Sequence, residues 1–217
     1  MARVVVVDYG MGNLRSVYRA LLAAGADADA VAVSADPEAV RAAERVVLPG
    51  VGAMGDCMAE LERLGLRAAV REAAASKPFL GVCLGMQALL GRSDESGGVA
   101  GLGIVPGRAV RFPDGERDAA GRPLKVPHMG WSRVAQRCSH PLWAGIADGE
   151  WFYFVHSYYA LADDARAVAG EAEHGRRFAA ALAAGPCFAV QFHPEKSQAA
   201  GLRLYRNFLD WDGRWRD

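Results

Sequence analysis

The chain has no surplus of charge: 25 lysine and arginine residues balance 25 aspartate and glutamate, a formal net charge of +0. A neutral chain without an arginine–lysine stripe carries no electrostatic footprint for nucleic acid. Long apolar runs are also missing. Stretches such as "VVVVDYG" meet charge or glycine within a few residues, well short of the roughly 18 apolar residues that span a bilayer. The N-terminus reads directly into a strand, with no basic region, apolar segment and cleavage site, so no secretory signal is expected. Cysteine is scarce and scattered, at 57, 83, 138 and 187 with no close pair. That spacing argues against a disulfide framework or a zinc knuckle and for a reducing cytosol, so a cytoplasmic location is expected.

What is present is an ordinary apolar fraction, 52% of 217 residues, enough for one substantial α/β domain. A single domain over 1–217 is the expectation. "RVVVVDYG" (3–10) is a β-branched run of the kind buried on both faces of a parallel sheet. "NLRSVYRALLAAG" follows with Leu14, Val17, Leu21 and Leu22 at helical spacing and Gly25 as a stop. "ADAVAVS" is a weaker strand, and Asp36 and Pro37 open a helix as N-cap and first turn. "RVVLPGVGA" reads as strand into glycine loop, "MAELERLGLRAAVREAAAS" as helix and "PFLGV" as strand. Such alternation predicts a doubly wound parallel sheet with helices on both faces.

After about Arg92 the pattern changes. "SDESGGVAGLG" reads as loop, followed by shorter strands: "GRAVRF", "WSRVA", "EWFYFVHSYYA", "ARAVAGEAE", "RRFAAALAAG" and "CFAVQF". These predict an antiparallel or mixed extension of the parallel core. An amphipathic helix from about Gln198 to Trp211 closes the chain, and "DGERDAAGRP" (114–123) is the expected mobile loop.

"FLGVCLGMQ" (79–87) sets Cys83 between Gly81 and Gly85, where a strand turns into a helix. That is the logic of a nucleophile elbow, which needs small flanking residues, and a helix start favours the thiolate. A buried packing cysteine is the alternative from the pentapeptide alone. Five histidines could serve as its base. His140 and His174 lie in polar turns and read as solvated, whereas His128 and His156 sit in the unusual strings "PHMGW" and "VHSYY". His193 follows "CFAVQF", and Pro194 ends the strand there. Strand C-termini are where α/β sites form, and a carboxylate two residues on, Glu195, can orient the imidazole. "LPGVGA" (48–53) supplies a glycine-rich strand end whose N–H groups can face an oxyanion. A phosphate loop lacks its Gly-Lys-Ser/Thr, and the dinucleotide reading of "DYGMGN" fails at Arg15. A zinc deaminase would need a Cys-x-x-Cys after His193. No cofactor and no metal are expected.

Together, "PGVG", "GVCLGMQ" and "FHPEKS" resemble the class I, or triad, glutamine amidotransferase domain over nearly the whole chain. The resemblance implies a flavodoxin-like fold and hydrolysis of L-glutamine to L-glutamate and ammonia through a glutamyl thioester. It implies Cys83 as nucleophile, His193 as acid and base, and Glu195 as orienting partner. It implies Gly50, Val51, Gly52 and the amide of Leu84 at the oxyanion, and Gln87, His156, Ser157 and Tyr158 at the glutamine. No residues are left over for a synthetase domain, so a separate partner chain is expected to consume the ammonia. "DYGMGNLRS" and "KVPHMGW" resemble those members that serve a cyclase subunit, a (β/α)8 barrel, in a heterodimer. That cyclase forms imidazole glycerol phosphate and AICAR in L-histidine biosynthesis. By the same resemblance Asn13, Ser16, Arg19, Met129, Gly130 and Trp131 would face the barrel, with Tyr153 and Lys196 near the ammonia exit. A cysteine peptidase on a related scaffold and a non-catalytic redox module are the competing readings.

Overall fold

The computed structural model describes residues 4–118 and 120–215. The first half alternates as its pattern predicts: β1 (Val4–Val7), α1 (Leu14–Ala23), β2 (Val31–Ser34), α2 (Pro37–Ala42), β3 (Arg45–Leu48), α3 (Met54–Arg63), α4 (Leu66–Ser76) and β4 (Phe79–Val82). Asp36 caps α2 by accepting the Glu38 amide at 2.9 Å, with Pro37 in the first turn. The run read as a single helix is two, because Gly65 takes a left-handed φ of 67° between α3 and α4.

Strands β2, β1, β3, β4 and β13 (Cys187–Val190) lie side by side and parallel. Alternation along β1 sends its valines to opposite layers. Val4 and Val6 pack with Val17 and Leu21 of α1 and with Leu204, Tyr205 and Phe208 of α6 (Gln198–Asp210). Val5 and Val7 pack with Val40, Cys57, Leu61 and Val70 of α2, α3 and α4. This is the doubly wound, flavodoxin-like arrangement.

Beyond β13 the sheet continues through β12 (Arg176–Ala184), β10 (Tyr158–Ala162), β7 (Val105–Arg111), β5 (Leu90–Ser93) and β6 (Val99–Ala100). Most of these pairings are antiparallel. A branch leaves β12 through β11 (Val168–His174) and β8 (His128–Gln136) to β9 (Glu150–His156). Two expectations change here. "EWFYFVHSYYA" is two strands broken at Ser157, since β9 pairs with β8 while β10 pairs with β7 and β12. "SDESGGVAGLG" contains the end of β5 and all of β6. The 114–123 loop closes around Asp118, whose carboxylate accepts the Ala120 and Arg122 amides at 2.9 Å.

Candidate active site

The site forms where β4 and β13 end together. Val82 and Val190 are the last register pair of the two strands, and the Cys83 amide donates to the Val190 carbonyl at 2.7 Å. The chain then turns sharply. Cys83 has φ 54° and ψ −109°, outside the helical and extended regions that a side chain prefers. Such backbone costs of order 1–3 kcal/mol and persists only where its surroundings hold it. Close approach requires the glycine at 85 and favours the one at 81. A Cβ on Gly85 would sit 2.0 Å from the Leu48 carbonyl oxygen, and one on Gly81 3.0 Å from that of Gly85. The following helix, α5 (Leu84–Ala88), has only five residues. Its dipole is correspondingly short, so stabilisation of a thiolate falls to side chains.

His193 stands three residues past β13, with its amide donating to the Tyr153 carbonyl at 2.9 Å. Its Nδ1 lies 2.8 Å from Glu195 Oε1, and both side chains are buried. Among the described residues the imidazole's Nε2 has no hydrogen-bond partner. Burial pulls the His193 pKa down, but the Cys83 sulfur and the Glu195 carboxylate outweigh it and push it up to about 10. Ser197 braces this turn: its hydroxyl donates to the His193 carbonyl at 2.7 Å and accepts the Tyr153 amide at 3.0 Å.

A cavity of about 380 Å³ opens over the sulfur, lined by Val51, Gly52, Cys83, Leu84, Gln87, Glu95, Pro127, Val155, His156, Ser157 and Tyr158. The structure thus brings the predicted oxyanion strand, the cysteine and the "VHSYY" segment to a common space. Gln87 donates through Nε2 to the Tyr158 carbonyl at 2.9 Å and to Gln191 Oε1 at 3.0 Å. Its own Oε1 is left to meet a ligand. The Leu84 amide, expected as an oxyanion donor, points instead at the Gly50 carbonyl, 3.4 Å away. A Cβ on Gly50 would lie 2.4 Å from the Tyr9 hydroxyl, so the strand end is closely packed beneath.

Three site features were not legible beforehand. Glu95, read as part of a loop, places a carboxylate at the cavity wall, where it also accepts the Met54 amide at 2.6 Å. Gln191 lies wholly buried against the sulfur. His128 and His156 form a pair, Nδ1 to Nε2 at 3.0 Å. His156 Nδ1 faces the Tyr158 carbonyl at 2.8 Å, so it carries the hydrogen. His156 Nε2 therefore accepts from His128, whose Nε2 in turn faces the Ser132 hydroxyl at 2.9 Å. Burial, followed by the like-charged neighbours, lowers the His128 pKa to about 3, and burial lowers that of His156 to about 3. His140 and His174 also depart from expectation. His140 is buried, accepts the Leu142 amide through Nδ1, and is lowered to about 4 by burial. His174 is half-buried and stacks on His128 with centroids 4.2 Å apart. Cys57 and Cys187 are core residues, their thiols pushed up by burial to about 11 and about 12, and Cys138 is half-buried.

Of the residues expected at a partner, Met129, Trp131 and Tyr153 lie on one face of the β8–β9 pair. Trp131 pairs with Tyr153 across β8 and β9, and Met129 with Val155. Met129, Trp131 and Trp151 are exposed. Lys196 Nζ lies 5.7 Å over the Tyr153 ring. The Pro194–Lys196 turn touches both β9 and α1, the helix that carries Ser16 and exposed Arg19 and follows Asn13. Gly130 is half-buried between Met129 and Trp131, with φ 140°.

A strained cysteine at a small cavity, coupled to a buried histidine–glutamate pair, is the arrangement of a cysteine-dependent amidohydrolase. The class-I glutamine amidotransferase model matches residues 5–211, and the chain belongs to that family of enzymes. Solved structures agree on the fold: a glutamine amidotransferase superposes with a TM-score of 0.67 at 19% identity, covering 95% of this chain and 97% of that one. The glutaminase domain of Trypanosoma brucei CTPS with bound acivicin gives 0.61 at 15% identity, covering 96% and 92%. Among curated relatives, the imidazole glycerol phosphate synthase subunit HisH of Methylococcus capsulatus is 60% identical over 98% of both chains. HisH 1 of Pseudomonas aeruginosa is 57% identical over 99% of this chain and 100% of its own. Within the amidotransferases the chain is therefore a HisH-type glutaminase subunit of imidazole glycerol phosphate synthase, an enzyme of histidine biosynthesis.

Proposed function

We propose that L-glutamine binds in the cavity over Cys83 and that Cys83, His193 and Glu195 hydrolyse its amide. The observation that carries this reading is the elbow sulfur coupled to a buried imidazole whose far nitrogen is fixed by a carboxylate. The Cys83 thiolate attacks the γ-carbonyl carbon, and His193 gives its proton to the departing ammonia. Water then attacks the thioester while His193 takes its proton, and glutamate leaves as the thiolate is restored. Glu195 keeps the imidazole in one tautomer. Gln87 Oε1, the Glu95 carboxylate and the Ser157–Tyr158 backbone suit the amino-acid end of the substrate, with Glu95 against its ammonium. His156 holds the Tyr158 carbonyl.

The oxyanion would sit against Gly50, Val51, Gly52 and the Leu84 amide. That amide is engaged with the Gly50 carbonyl at 3.4 Å. Turning the Gly50–Val51 peptide would release it, so this conformation corresponds to a resting enzyme. We assign the trigger to the cyclase subunit, a (β/α)8 barrel in a one-to-one heterodimer. It would cover Asn13, Ser16, Arg19, Met129, Gly130 and Trp131 and take ammonia past Tyr153 and Lys196. The whole chain 1–217 would act as one domain in a cytoplasmic complex without a cofactor. The test is glutamate release by the chain alone and with the cyclase subunit plus its nucleotide substrate. The mixture is expected to be faster by orders of magnitude, and equal rates would refute the resting-state reading.

A further inference from the structure

We propose that Gln191 stabilises the Cys83 thiolate through its side-chain amide and that a chain of oriented amides holds it in that role. The inference rests on Cys83 being the nucleophile. Gln191 follows the last paired residue of β13 as Cys83 follows that of β4, so the two stand side by side at the C-terminal ends of adjacent central strands. Its backbone amide donates to the Ala180 carbonyl at 2.9 Å, and its side chain is fully buried. Nε2 lies 3.8 Å from Cys83 Sγ.

Which end of the amide faces the sulfur follows from the network. The Tyr158 carbonyl can only accept, so Gln87 presents its NH2 there at 2.9 Å. The second N–H of that group reaches Gln191 at 3.0 Å, which must answer with Oε1. Gln191 is thereby obliged to turn its own NH2 toward Sγ. A backbone carbonyl two residues beyond His156 thus fixes both glutamines without a flip.

Besides His193, the sulfur also meets the Val155 carbonyl, 4.0 Å away, an acceptor that suits the thiol. On ionisation the sulfur becomes an acceptor, repelled by that carbonyl and attracted by the Gln191 N–H. The amide therefore favours the thiolate over the thiol, in the same sense as His193. With α5 only five residues long, this donor supplies what a longer helix dipole would have supplied. A second consequence concerns substrate: because Gln87 spends both donors, only its Oε1 faces the cavity.

Gln191→Met keeps the length of the side chain and removes the donor, and Gln191→Glu sets an acceptor against the sulfur. The measurement is the pH dependence of Cys83 carbamidomethylation by iodoacetamide, followed by mass spectrometry on the full chain, beside glutaminase activity in the complex. For Gln191→Met we expect the alkylation midpoint to rise by about one pH unit, the size of one charge-assisted hydrogen bond. Its kcat should fall up to about tenfold at pH values below the wild-type alkylation midpoint and recover as the pH approaches the new one. Gln191→Glu should shift further in the same direction. A correctly folded Gln191→Met with an unchanged midpoint overturns the proposal, because loss of packing alone would lower activity at every pH. If either variant fails to fold, the wild-type chain still decides. The side-chain 15N–1H signal of Gln191 should move with the alkylation midpoint, and a signal that stays still refutes the contact. Wild-type alkylation at Cys83 that leaves glutaminase activity intact would instead refute the assignment of the nucleophile.

Discussion

The parallel half of the sheet and its antiparallel extension contribute to the same cavity in different ways. The parallel half supplies the proposed reacting groups, Cys83 and His193, from two adjacent strand ends fixed by register. Its side chains there are buried, and Cys83 holds a strained backbone between them. The extension supplies the opposite wall, Val155 to Tyr158, from the break between β9 and β10. It also carries the exposed aromatic face of β8 and β9. The proposed chemistry therefore belongs to the parallel half and the proposed recognition to the extension, a division that variants can test.

The largest effect is expected at the elbow. Cys83→Ala should remove glutamate release by a factor of about 10⁴ or more while leaving affinity for the cyclase unchanged, as titration calorimetry would detect. If that affinity also collapses, the two halves are not separable. Next comes Gly85→Ala. Its methyl would fall 2.0 Å from the Leu48 carbonyl, so the elbow and β3 must part, at a cost of about 4 kcal/mol or more in urea unfolding.

Acid acts on the extension instead. His128 and His156, with His140, have folded pKa values lowered by burial to about 3, about 3 and about 4. Below the unfolded value near 6.5 the unfolded chain takes protons that the folded chain refuses. Stability from these groups is thus present above about pH 6.5 and falls as the pH drops toward those values, by up to about 1.4 kcal/mol per pH unit for each. Thermal midpoints between pH 7 and 4 should show this loss, and a His128→Phe, His156→Phe double variant should flatten it. His193 works in the opposite sense. Its raised pKa gives stability that is complete below about 6.5 and is lost as the pH climbs through about 10. The smallest effect is expected at the outward face, where Trp131→Ala should weaken cyclase binding about tenfold and leave urea stability nearly unchanged.

The same division decided what could be read from sequence. In the parallel half the signals are local: four valines in a row, an Asp-Pro helix start, and glycines around a cysteine. Long-range geometry adds only which strands adjoin. In the extension the meaning of a residue depends on its partner strand. Nothing around Ser157 announces that the chain there leaves β8 for β7 and β12. His140 follows a serine and reads as solvated, yet it packs against Phe188 and Trp211 brought from far along the chain. Gln191 was within view, two residues before His193. Its role depends on Gln87 and Tyr158, which approach only when the sheet is assembled.

Met129, Trp131 and Trp151 form an uncovered apolar strip on β8 and β9. A subunit made in excess of its partner keeps that strip in water, where such patches invite self-association and surveillance by chaperones and proteases. With the cyclase seated there as proposed, this strand pair would tie the protein's abundance to that of its partner, and orphan copies should be short-lived in the cell.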